Sequence, residues 1–169
     1  EEGKLRGNTV VATIVSNPAL DRFLNGCGIQ CVRSAVGERY VIEEMKKHGA
    51  NVGGEESGHM VLSDYGKTGD AMTAALVLAQ GLLKSGKKMS ELFPLFEPML
   101  RLRADSKFAT KEAMLAAFEL PEFQAAIHQA EQTVAGKGKV LVRKSGTEPK
   151  IQVWVWGRSE ERRVGKECR

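Results

Sequence analysis

Cysteine, proline and aromatic residues are all scarce in this sequence of 169 residues: three cysteines, five prolines, and 6% aromatic. Cys27, Cys31 and Cys168 cannot pair completely, and no second cysteine or histidine pair stands at metal-site spacing. A disulfide scaffold and a structural metal site are therefore both excluded, and the thiols read as reduced. Long apolar runs are lacking too, and the start Glu1-Glu2-Gly3-Lys4 has neither the basic opening nor the apolar core of a secretory signal. The expectation is a cytoplasmic protein with no membrane partner. Charge of one sign is also missing: 25 basic residues face 21 acidic ones, scattered along the chain rather than gathered in a stripe. Nucleic acid is not the implied partner.

What is present is an ordinary globular composition, 42% hydrophobic with 18 glycines. Residues 158–169, R-S-E-E-R-R-V-G-K-E-C-R, have no apolar period and read as the translation of a sequencing-adaptor oligonucleotide. They are set aside as a non-native tail. A charged terminal helix is the alternative, with Val164 as its one core-facing side chain.

Along the chain, V-V-A-T-I-V up to Val15 predicts a strand, Ser16-Asn17-Pro18 opens a short helix through Leu20 and Phe23, and Ile29 to Ala35 predicts a second strand. That spacing is a parallel βαβ unit. Tyr40, Val41, Ile42 and Met45 share one side of a surface helix closed by Gly49. Met60-Val61-Leu62 makes another strand. Beyond it, A-M-T-A-A-L-V-L-A-Q-G-L-L is apolar around most of its circumference, which predicts a helix buried on several sides. Pro94 and Pro98 interrupt the pattern, so the boundary is set near Glu97. In the second part, Met99 to Arg103 alternates as a strand, and Phe123, Ile127, Ala130 and Val134 form one helical stripe. Val140 to Val142 and Ile151 to Trp156 predict two strands flanking a polar loop. The class is α/β, an incomplete βαβ-type mixed-sheet domain over 1–96 followed by a smaller, truncated α+β domain over 97–157.

Two loops carry chemistry. In Arg143-Lys144-Ser145-Gly146-Thr147-Glu148-Pro149, a guanidinium fork, hydroxyl donors and a flexible Gly146 are what an oxyanion requires. A solvated turn is the competing reading. In Gly53-Gly54-Glu55-Glu56-Ser57-Gly58-His59, glycines let the backbone approach a ligand while a carboxylate, a hydroxyl and an imidazole project from one turn. An acceptor-only glutamate can hold two neighbouring sugar hydroxyls, although a glycine-rich hairpin with incidental acids has the same composition. Gly66-Lys67-Thr68 is not a nucleotide loop, because Val61 stands where the first glycine is needed. Trp154 and Trp156 share a strand face, and packing is preferred to base stacking because no basic groove accompanies them.

Together, G-G-E-E-S-G-H and R-K-S-G-T-E-P, with T-G-D opening a helix between them, resemble the α-D-phosphohexomutase family over residues 4 to 157. V-A-T-I-V-S-N, V-G-E-R-Y and K-S-G-T-E-P are most similar to its bacterial branch acting on glucosamine phosphates. The family has four domains, and the chain resembles most of the third and an incomplete fourth. The resemblance implies conversion of glucosamine 6-phosphate to glucosamine 1-phosphate, for amino-sugar nucleotide and cell-wall precursor synthesis, through a sugar bisphosphate. It implies Glu55, Ser57, His59 and Arg39 at the sugar, and Arg143, Ser145, Gly146 and Thr147 at the phosphate. It also implies Mg2+, whose ligand loop, like the phosphoserine loop, has no counterpart here. No metal ligand or catalytic residue is therefore assigned, and the chain alone is expected to be inactive without the N-terminal domains. A homodimer stays open. The alternatives are a phosphomannomutase or phosphoglucomutase, or a phosphosugar-binding module without turnover. One departure is Gln152, where the family commonly has arginine; either that charge is missing or Lys150 replaces it.

Overall fold

A run rich in β-branched residues forms the first strand. In the computed structural model, which describes residues 4–157, β1 (Thr9–Thr13) leads to α1 (Ala19–Gly26) and then β2 (Gln30–Ser34). The two strands pair in parallel from Thr9 opposite Gln30 to Thr13 opposite Ser34, the βαβ unit that the spacing predicts. The expected foreign tail over 158–169, with Cys168, lies outside the described residues.

The turn between β1 and α1 is held by one side chain. Arg33, on β2, donates to the carbonyls of Thr13 (2.7 Å), Ser16 (3.0 Å) and Asn17 (3.2 Å), and forks onto Asp21 of α1 at 3.0 and 2.8 Å. The Thr13 and Asn17 carbonyls also accept from Ser16 N and Leu20 N, and the guanidinium, whose planar set of donors suits several acceptors at once, ties all three carbonyls to α1.

α2 (Glu38–His48) ends at Gly49 in the left-handed conformation, which glycine adopts without steric cost. Its Val41 and Met45 are buried with Val11, Ala50 and Val61 in one core cluster. Tyr40 departs from the expected stripe: it is 45% exposed, its ring lying by Gly37 at the helix start. β3 (Val52–Gly54) pairs in parallel with β1, and β4 (Met60–Leu62) pairs antiparallel with β3, giving a mixed sheet of order β2-β1-β3-β4. Gly53 sits under α2: a Cβ there would meet Met45 Sδ at 2.6 Å and Val41 Cγ1 at 2.7 Å. The absence of a side chain is what lets the helix rest on this strand.

α3 (Ala71–Ser85) contradicts the expectation of burial on several sides. Ala74 is its one buried residue, while Met72, Leu76, Leu78 and Leu83 are exposed, Leu83 by 82%. The reason is its place beyond the edge strand: within its unit it packs chiefly on β4, so the rest of its apolar circumference meets no covering layer. A short α4 (Met89–Leu92), not foreseen, precedes the proline-broken segment. Among the described residues no helix is long and apolar enough to cross a membrane.

The chain divides into two compact units, the first ending at Pro98 and the second beginning at Met99. In the second, β5 (Leu100–Lys107), β6 (Lys139–Lys144) and β7 (Lys150–Gly157) form an antiparallel sheet of order β5-β7-β6. α6 (Pro121–Val134) follows the expected stripe, with Phe123, Ile127, Ala130 and Val134 half-buried among exposed neighbours. α5 (Lys111–Phe118) was not legible as a periodic segment; it is capped by Thr110, whose hydroxyl accepts from Ala113 N at 3.1 Å.

Gly53→Ala is expected to destabilise the protein by about 1–3 kcal/mol, the usual cost of forcing extra carbon into a filled core. Chemical denaturation of the variant against wild type measures it.

Candidate functional site

The first unit brings three sequence motifs to one place. The loop from Glu55 to His59 is the connection between β3 and β4, closed by Glu55 N donating to His59 O (2.8 Å) and Gly58 N donating to Glu55 O (3.1 Å). Gly58 lies at φ +95 and therefore requires glycine. The two leading glycines line the cavity beside the loop and also have a packing role. Gly53 admits α2, and a Cβ on Gly54 would stand 3.0 Å from the His59 carbonyl. They shape the hairpin and its support.

Glu55 Oε1 accepts a hydrogen bond from Gly37 N at 2.9 Å, the residue that caps the start of α2. The helix N-terminus offers unpaired N–H groups and partial positive charge, which favours a carboxylate there. V-G-E-R-Y and the glycine-rich loop are thus joined through a backbone donor, a partner that side-chain chemistry in the sequence could not reveal. T-G-D joins them: a Cβ on Gly69 would meet Glu38 Oε2 at 2.8 Å. Asp70 caps α3 by accepting from Met72 N (2.9 Å), Thr73 N (3.2 Å) and Thr73 Oγ1 (2.9 Å). The Thr73 hydroxyl bond, followed by the backbone bonds, holds the Asp70 carboxyl below its ordinary range.

Ser57 Oγ and His59 Nδ1 are 2.9 Å apart, both exposed. Arg39 does not join this group: its Nε donates to Glu43 Oε1 at 2.8 Å along the helix, with 82% of the side chain exposed. Beside the loop is a cavity of about 300 Å³ whose lining includes Val10, Leu20, Ser16, Asn17, Glu55 and His59. Its volume is at the lower end of small-ligand pockets.

The second unit holds the Arg143 loop between β6 and β7. Ser145 is buried: its N donates to Lys150 O (2.9 Å) and its Oγ accepts from Glu148 N (3.3 Å). A hydroxyl used as an acceptor in its own turn still has its proton to donate. Gly146 and Thr147 are exposed at the tip, and the Gly146 carbonyl accepts from Lys111 Nζ at 3.5 Å. Arg143 pairs across the strands with Gln152 and lies with Cζ 6.0 Å from the Trp154 ring centroid.

Lys150, the alternative source of the charge that Gln152 lacks, is held in ion pairs. Its ammonium is committed to Glu148 (2.6 Å) and Asp105 (3.3 Å), and its side chain is 14% exposed. Asp105 in turn takes both arms of Arg103 at 3.0 Å. A correction concerns the tryptophans, which do have basic company: Arg103, Arg143 and Lys139 lie over their rings. Both rings are nonetheless buried, so packing is their role. The signal that was available is the alternation Arg101, Arg103, Asp105, Lys107, which places all four on one strand face.

The described residues contain no group of three or more His, Cys, Asp or Glu that could hold a metal ion. They do not fit a magnesium site.

Acid should loosen the second unit. The Arg103 hydrogen bond holds the Asp105 carboxyl below its usual range, and the Lys150 hydrogen bond does the same for Glu148. A carboxylate with a depressed folded pKa contributes fully above its unfolded value, and that contribution is lost as pH falls through the folded one. Thermal melts from neutral to strongly acidic pH should show this loss, and Asp105→Asn should reduce its size.

Both units have counterparts among known proteins. Residues 1–99 match the family domain described as phosphoglucomutase/phosphomannomutase, alpha/beta/alpha domain III, and residues 102–166 match its C-terminal domain. A phosphoglucosamine mutase of Paramagnetospirillum magneticum is 45% identical over 158 residues, which are 94% of this chain and 35% of that protein. Another, of Novosphingobium aromaticivorans, is 46% identical over 155 residues, 92% of this chain and 34% of its own length. The chain thus spans about a third of the curated relatives it matches. Among solved structures, N-acetylphosphoglucosamine mutase of Aspergillus fumigatus shares the fold with a TM-score of 0.74 at 17% identity, over 94% of this chain and 37% of that one. With both of its units matched by consecutive domains of one family, the chain belongs to the phosphoglucomutase/phosphomannomutase family.

Proposed function

We propose that this chain supplies the sugar-holding and phosphate-holding loops of a phosphoglucosamine mutase, which interconverts glucosamine 6-phosphate and glucosamine 1-phosphate through a sugar bisphosphate. The observation that carries the reading is Glu55, anchored on Gly37 N at 2.9 Å within a loop whose relatives carry that enzyme's name.

One Glu55 oxygen is fixed by the backbone, and the residue lines the cavity, so its remaining acceptor capacity is available to a ligand there. An ionised carboxylate only accepts, so it selects hydroxyl donors, and two adjacent sugar hydroxyls satisfy it without a metal. Ser57 and His59 supply one donor and one acceptor beside it. A bisphosphate that turns around between two phosphoryl transfers must be held equally well in either orientation. That favours a loop that binds the shared hydroxyls and a separate site for whichever phosphate is not reacting. Arg143, Ser145, Gly146 and Thr147 serve as that site: a guanidinium fork, a hydroxyl and a flexible turn suit a dianion. Phosphoryl transfer itself, with its magnesium and its phosphoserine, belongs to parts of the protein outside this chain. The setting is the cytoplasm.

Glu55→Gln should weaken glucosamine phosphate yet leave inorganic phosphate binding nearly unchanged. Arg143→Ala should weaken both ligands by roughly 10- to 1000-fold, the scale of losing a desolvated charge-assisted pair. Calorimetric titration at fixed salt separates the two loops, and equal losses for both ligands in both variants contradict the two-site reading. In the full-length protein, kcat/KM should favour glucosamine phosphate over mannose phosphate, since discrimination is a ratio of transition-state affinities. The opposite preference would support a phosphomannomutase.

A further inference from the structure

The face of the second sheet that carries the tryptophans is a cation-holding surface. Register puts Arg103 opposite Trp154, and Asp105 opposite Gln152, which in turn pairs with Arg143. Trp154, on the central strand β7, thus has Arg103 directly opposite on β5, while on β6 its paired residue is Leu141 and Arg143 stands diagonally to it. The Cζ of Arg103 lies 5.3 Å from its ring centroid and that of Arg143 lies 6.0 Å from it. Both distances are within the range at which a guanidinium is attracted to an indole face.

The ring itself is 5% exposed, so it offers no platform to a base or a sugar. What it does is order two guanidiniums. Arg103 keeps 46% of its side chain in solvent, so an anion from solution can compete with Asp105 for it. Two cations sharing one ring repel each other. In the absence of a ligand that repulsion is relieved on one side by Asp105, which accepts both arms of Arg103 at 3.0 Å. Arg143 meets no such carboxylate across the strand, since the uncharged Gln152 is its paired residue. A phosphate dianion matches this surplus in charge, and two planar forks match it in geometry.

We infer that Arg103 is a second phosphate-binding residue: it and Arg143, ordered by the Trp154 ring, hold one phosphate group between them beside the Ser145 loop. The phosphate takes the place of Asp105 on the outer edge of Arg103. Asp105 is the resident anion of the empty site, and it remains tied to Lys150 at 3.3 Å when Arg103 exchanges. The inference rests on the proposed phosphate role of Arg143 and adds the charge that Gln152 lacks.

The test is calorimetric titration of the 169-residue chain with inorganic phosphate at fixed salt, comparing wild type with R143A, R103A, R103K and D105N. R103A should weaken phosphate by roughly tenfold, the scale of one charge-assisted bond, with R103K between R103A and wild type. D105N should bind phosphate as tightly as wild type or more tightly, because it removes the competing carboxylate. If Arg103 merely braced the strand through Asp105, R103A and D105N would break the same ion pair and lose affinity equally, and that result would overturn the inference. So would an unchanged affinity in R103A. A loss in R143A without one in R103A removes this inference alone, whereas no loss in R143A removes the phosphate-loop reading beneath it. Should R103A fail to fold, R103K weaker than wild type beside D105N not weaker supports the inference, and R103K equal to wild type overturns it.

Discussion

The seat of α2 on β3 governs the first unit, and it depends on a missing carbon atom at position 53. Val41 and Met45 occupy the space that any side chain there would need, and the same two residues close the core around Val11 and Val61. With α2 so placed, its first N–H groups arrive at the hairpin between β3 and β4, where Gly37 meets Glu55. A packing constraint in the core is thus converted into the orientation of a carboxylate at the surface. Arg33 complements it from the other side of the sheet, fixing the β1–α1 turn by bonds to three carbonyls and one acid.

The second unit solves a different problem, that of giving shape to a polar loop between two strands. Backbone bonds close its base, Ser145 N to Lys150 O and Phe108 N to Pro149 O. Around it runs a chain of alternating charges, Arg103 to Asp105 to Lys150 to Glu148. Each exposed pair in such a chain is individually weak. Here they are linked end to end, and the arginine at one end also packs on a buried ring. The loop is shaped by what surrounds it more than by the residues at its tip.

Much of this was legible in the sequence, and the rest was hidden for physical reasons. Strands β1, β2, β4, β6 and β7, the stripe of α6 and the Gly49 end of α2 follow from periodicity and from glycine placement, because those signals are local, whereas β3 was hidden because its Gly53 and Gly54 read as part of a loop. Glu55 and Arg143 stood out because their neighbours limit what they can do. The exposure of α3 could not be read, because an apolar circumference states that a helix needs covering without stating by what. The purpose of Gly53 was hidden as well: a glycine that makes room for a distant helix and one that makes room for a ligand look identical in sequence. The strand in β5 was followed only to Arg103: beyond it the alternation continues in charged residues, a weaker signal than apolar alternation, and register confirms that they share a face.

The bond between Gly37 and Glu55 also bears on how such a protein can drift over evolutionary time. Its donor is main chain, so no exchange of side chains along the rest of α2 can delete it, provided position 37 keeps its backbone shape, φ +128. The charges nearby, such as Arg39 and Glu43, are then free to vary. They can retune the field around the carboxylate while its aim stays fixed. Orientation is inherited through the backbone, and selectivity is left to the residues that mutation can reach.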